Sequence, residues 1–148
     1  MKHFGRLAIV AVLAIAVLAL SSCAEWLGPS IDGSWTAFGD YLVDFGGSAG
    51  EIGGLTALFE SGAYRFEYTM TEPYPDGPST ATWHEGSLDP GEPGEGDAFT
   101  MTVTASSDND YSPPVGESFE GTVVYLGRDV LVLDIDAGQI QTWSFRRQ

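Results

Sequence analysis

One pattern constrains this chain more than any other. From residue 32 onward, apolar and polar side chains alternate with a period of two, and no stretch holds a helical period for three turns. Tyr64, Phe66, Tyr68 and Met70 alternate with Arg65, Glu67 and Thr69. Phe99, Met101, Val103 and Ala105 alternate with Thr100, Thr102 and Thr104, and Phe119, Gly121, Val123 and Tyr125 with Glu120, Thr122 and Val124. Leu131, Leu133 and Ile135 share a side, as do Trp143 and Phe145. Successive strand residues point to opposite faces, so each segment predicts an antiparallel strand with one buried and one solvated side.

Turn residues fall between these segments. Ser61-Gly62, Gly127-Arg128 and Ala137-Gly138 predict tight hairpins. The expected strands are 33–45 (bent near Gly39), 55–60, 63–70, 80–87, 97–105, 118–126, 129–135 and 139–146. Longer loops are expected at 71–79, 90–96 and 106–117, and at 46–54, where Gly46, Gly47, Gly50, Gly53 and Gly54 predict a mobile segment. Short antiparallel strands joined in sequence can close into an up-and-down barrel that leaves no edge. A two-sheet sandwich is the competing arrangement.

Charge narrows the function. The chain carries 21 Asp+Glu against 6 Lys+Arg. Lys2 and Arg6 sit at the start, leaving Arg65, Arg128, Arg146 and Arg147 as the strong bases of the remainder. That balance excludes a sequence-independent nucleic-acid binder, which needs cations for phosphates. It also disfavours docking on anionic lipid by charge. One cysteine allows no disulfide framework within a monomer and no cysteine-based zinc cluster. With 148 residues, 43% of them hydrophobic, a single folded domain is expected.

The N-terminus reads as an address. Lys2, His3 and Arg6 precede an unbroken aliphatic run over residues 7–20. A run of about 14 apolar residues is short for a bilayer span but fits a signal-peptide core, here expected as a helix. Leu20-Ser21-Ser22-Cys23 follows and resembles the lipobox of bacterial lipoproteins. The resemblance implies cleavage before Cys23, with diacylglycerol on its sulfur and its new amino group open to acylation. Acyl chains contribute about 0.8 kcal/mol per buried CH₂, so two or more hold a protein stably to a membrane. Ala24, in place of an Asp that would resemble an inner-membrane retention signal, points to the outer membrane. The expected organisation is a signal peptide at 1–22, a lipidated tether at 23–31 and the β domain at 32–148.

The β domain resembles the lipocalins, and in particular small bacterial lipocalin-like lipoproteins. Gly33-Ser34-Trp35 opens the first strand as G-x-W, and Trp143-Ser144-Phe145-Arg146 forms the last, followed by Arg147. The resemblance implies an eight-stranded antiparallel up-and-down barrel. It also implies a seal at one barrel end, with Arg146 or Arg147 lying across Trp35. A cation–π contact of that kind contributes about 0.5–2 kcal/mol, so these residues are expected to be structural.

Catalytic chemistry is thin. His84 is the one histidine after the signal segment, and its neighbours Trp83 and Glu85 should point to the opposite face. It is expected to be an exposed or packed strand residue, not a catalytic base. No nucleophile elbow, metalloprotease motif or P-loop is present. Asp108, Asp110 and Glu117 offer oxygen ligands, but Pro113 and Phe119 stand where an EF-hand needs Gly and Glu, so an acidic loop is expected, not calcium binding. No catalytic residue, metal or cofactor is expected.

Tyr64, Phe66, Tyr68, Phe99, Met101 and Tyr125 are expected to point inward, giving a mostly filled barrel with a small pocket at one end. Sequential topology gathers 46–54, 71–79, 106–117 and 136–138 at the end opposite Trp35. Long loops over one mouth commonly carry binding residues. Tyr68, Met70 and Tyr74 are the expected lining, and the surrounding carboxylates favour a neutral or cationic guest over an anion. Two functions follow: a monomeric, non-enzymatic binding module for a small apolar molecule, or a filled structural barrel that meets another envelope protein.

Overall fold

The alternating segments form antiparallel strands that close on themselves. The computed structural model describes residues 28–44, 48–138 and 140–148 and contains no helix among them. The expected signal helix at 1–22, Cys23 and the start of the tether lie outside the described residues. The strands are β1 (Gly33–Ala37), β2 (Tyr41–Asp44), β3 (Ala49–Glu60), β4 (Ala63–Thr71), β5 (Ser79–Asp89), β6 (Ala98–Ser106), β7 (Ser118–Leu126), β8 (Val130–Asp136) and β9 (Ile140–Arg147). β1 and β2 are the two halves of the first expected strand, so the wall has eight staves. Each stave pairs with its sequence neighbour. β1 completes the ring, with Trp35 opposite Ala57 of β3 on one side and Arg147 of β9 on the other. This closure removes the sandwich alternative.

The expected loop at 46–54 is largely strand. Residues 49–52 pair with β2 and residues 51–53 with β4. The glycines at 53 and 54 mark a register shift, and Gly54 adopts φ +62°, a conformation that favours glycine. Ile52 and Leu55, three apart instead of two, both face inward across this bulge. Asp40, in the break between β1 and β2, accepts the Gly54 N–H at 3.3 Å. The break in one stave is thus tied to the bulge in the next.

A second bulge corrects the expectation for Tyr125. The register of β7 against β8 slips between Val123 and Tyr125. Val123 and Leu126 are buried, while Val124 and Tyr125 both face solvent. Phe99 and Met101 do point inward, as do Tyr64 and Phe66, and Tyr68 packs against the core.

Large and small side chains are matched across the strands. Phe99 faces Gly121, Phe66 faces Ala57, and Tyr64 faces Gly86. A Cβ at Gly121 would strike the Phe99 ring, and one at Gly86 would strike the Thr102 carbonyl. Around Trp35, the lower half is filled by Phe59, Phe99, Leu131, Leu133 and Phe145, all 2% exposed or less. Each such side chain contributes roughly 1.5–3 kcal/mol by burial.

Candidate functional site

The two ends of the barrel are built differently. At the lower end, Trp35 is fully buried and donates its indole N–H to the Ile31 carbonyl at 2.8 Å. The Arg147 guanidinium lies 4.2 Å from the Trp35 ring centroid. It also donates to the carbonyls of Ser30, Asp32 and Arg128 at 2.7–2.8 Å. Gly33 has φ +134°, and any side chain there would run into this guanidinium. The glycine of G-x-W therefore makes room for the cation that covers its tryptophan. Arg147 fills the expected position, while Arg146 is exposed on the outer face.

The upper end holds a cavity of about 520 Å³, within the range of small-molecule sites at roughly 300–1,000 Å³. Its floor is aromatic. Phe66 meets Trp143 edge-on at 5.6 Å and His84 at 5.3 Å between ring centroids. Tyr68, Met70 and Phe119 form the walls, together with Val43, Ile52 and Ile135. Asp110 and Glu117 line the mouth, so the carboxylates stand above an apolar interior.

His84 joins the lining from β5, where Thr82, His84 and Leu88 are buried. It is 6% exposed, and burial lowers its pKa to about 4, leaving the imidazole neutral at ordinary pH. Its Nδ1 lies 3.3 Å from the Tyr64 hydroxyl. Tyr64, Phe66, Tyr68 and Phe119 surround the ring. His84 is expected in a strand, exposed or packed, and the fold packs it inward. The period-two run Thr82, His84, Gly86, Leu88 carries that orientation.

Residues 107–117 fold over the mouth as a structured loop. The Asn109 side chain organises it, accepting from the Tyr111 N–H at 3.0 Å and the Ser112 hydroxyl at 3.2 Å and donating to the Ala81 carbonyl at 3.3 Å. Tyr68 donates its hydroxyl to the Tyr111 carbonyl at 3.0 Å, latching the loop to β4. Desolvation pushes the Tyr68 phenol up to about 12, so it stays protonated. Asp108, Asp110 and Glu117 do not form a metal cluster, and among the described residues no three His, Cys, Asp or Glu side chains converge.

Of the three lining residues expected from sequence, the fold brings Tyr68 and Met70 to the cavity and leaves Tyr74 outside it. The Tyr74 N–H is bonded to the Ala49 carbonyl at 2.7 Å, which fixes the loop against β3, and the side chain stays 41% exposed. Phe119, Trp143 and Tyr111 also line the cavity, beyond the residues expected from the sequence. Trp143 and Phe119 were legible as strand residues, but their height along the barrel was not.

The closed eight-stranded barrel, filled at one end and hollow at the other, is consistent with a lipocalin-like fold. No protein-family model matches the chain, and comparison with curated proteins finds no match.

Proposed function

We propose that this protein is a lipid-anchored component of the bacterial envelope, held in the outer membrane through Cys23. In this reading its barrel is a monomeric, non-enzymatic binding module for a small apolar molecule, neutral or cationic. One observation carries the binding function: an aromatic and aliphatic cavity of about 520 Å³ opens beneath carboxylates at the end opposite the Trp35 seal. A barrel serving only as a filled scaffold needs no such space, so the cavity favours binding over the structural alternative. Aromatic faces attract cations, and low-dielectric walls focus the field of Asp110 and Glu117. An apolar anion would meet those charges and find no Lys or Arg in the lining among the described residues.

The test is a parallel titration of the protein with a fluorescent apolar cation and an apolar anion at low salt. The cation should bind more tightly, and Tyr68→Ala or Met70→Ala should weaken it. Asp110→Asn combined with Glu117→Gln should narrow the preference. Tighter binding of the anion would overturn this account of the site.

A further inference from the structure

The hydrogen bonds around His84 fix which of its nitrogens carries the proton. Tyr64 is 2% exposed, and its hydroxyl has His84 Nδ1 as its one hydrogen-bond partner among the described residues. A hydroxyl has one proton to donate, and burial without an acceptor is costly. If Nδ1 carried the ring proton and donated to Tyr64, the buried hydroxyl proton would have nowhere to go. If Tyr64 donates to Nδ1, both atoms are satisfied and the ring proton resides on Nε2. That nitrogen makes no hydrogen bond among the described residues and is not enclosed, on a residue that lines the cavity. The cavity floor therefore presents one N–H donor amid Phe66, Tyr68 and Phe119.

We infer that His84 Nε2–H is the specificity-determining contact at the deep end of the cavity, donating to an uncharged acceptor, a ketone, ester or amide carbonyl, on the apolar guest. A carboxylate at this depth would be buried without a counter-charge, because the neutral imidazole supplies none. A cation at this depth would face the positive end of the N–H bond. Any positive charge on the guest accordingly lies at the mouth, near Asp110 and Glu117. The guest enters with its carbonyl first. This inference rests on the binding-module reading and gives its guest a chemical class and an orientation.

The test uses two dyes of one size: a dimethylamino-naphthalene bearing an acyl carbonyl, and its analogue with that carbonyl reduced to methylene. Both are titrated by fluorescence against the full chain. One hydrogen bond in a dry site corresponds to roughly a tenfold preference. The carbonyl dye should bind about tenfold more tightly to the wild type. The preference should vanish in His84→Phe and persist in His84→Gln, whose amide retains a donor. If both dyes bind the wild type equally, the inference fails while the binding module stands. If neither binds, the module reading fails and this inference with it. Nitrogen-15 NMR of the ring, in a His3→Gln background that leaves one histidine, gives a check that no core substitution can disturb. A proton on Nε2 supports the assignment, and a proton on Nδ1 overturns it.

Discussion

Acid should destabilise this barrel through His84, and the size of the effect follows from where the ring sits. An unfolded chain protonates histidine near pH 6.5, whereas burial holds the folded ring to about 4. Above pH 6.5 the ring is neutral in both states and adds no pH dependence. Between 6.5 and 4 the unfolded state takes up the proton first, so stability falls as pH falls, and below 4 the effect levels off. At 1.36 kcal/mol per unit, the loss is about 3 kcal/mol. The groups packed on the ring are Tyr64, Phe66, Tyr68 and Phe119, none of which titrates in that window. The assay is urea unfolding at pH 7.5, 5.5 and 4, followed by tryptophan fluorescence, on the wild type and on His84→Gln. Every other side chain is common to the two proteins, so the difference between the two pH profiles isolates His84. The wild type should lose about 3 kcal/mol more than the variant across the range. Parallel profiles would refute the argument, because they would mean that the ring accepts its proton as readily folded as unfolded.

Three further predictions concern the barrel seal and the anchor. Trp35→Ala should cost about 3–5 kcal/mol in chemical denaturation, as large aromatic truncations in a core do. A double-mutant cycle should give about 0.5–2 kcal/mol of coupling between Trp35 and Arg147 and close to none between Trp35 and Arg146. Equal coupling to both arginines would remove the seal described at the lower end. Metabolic labelling with an alkyne fatty acid should tag the wild type and not Cys23→Ser, which should also leave the membrane fraction. Labelled, membrane-bound Cys23→Ser would refute the anchor.

The barrel was legible because its alternation is regular over most staves. β7 was expected at 118–126 and occupies those residues, and the bend near Gly39 separates β1 from β2. The misreadings share a physical cause. At Gly53-Gly54 and at Val124 one extra residue enters a strand, and alternation shifts phase across it. The glycines looked like a loop because the same conformational freedom serves a loop and a bulge. Val124 carries no such marker, so Tyr125 was assigned to the wrong face. A β-branched residue gives no local sign that it will leave the ladder.

The site was harder to read than the fold because alternation reports direction and not height. Tyr64, Phe66 and Tyr68 all face inward, yet they sit at different levels of one stave: Tyr64 beside Gly86, Phe66 beside His84 and Tyr68 beside Thr82. Height depends on register, which the pairing with neighbouring strands sets. Once the registers are known, the distribution of volume explains the cavity. The largest inward residues, Trp35, Phe59, Phe99 and Phe145, gather near the Trp35 end and fill it. Toward the other end the inward positions mix Tyr68, Met70 and Phe119 with the smaller Val43, Ile52, Thr82 and Ile135, with Ala137 and Gly138 at the rim. The smaller residues leave space that the rings beside them do not fill, whereas the other half is packed to the density usual of interiors. The space therefore lies above the fully buried rings, and His84 is at its floor because Phe66, opposite it on β4, is the last such ring along that stave.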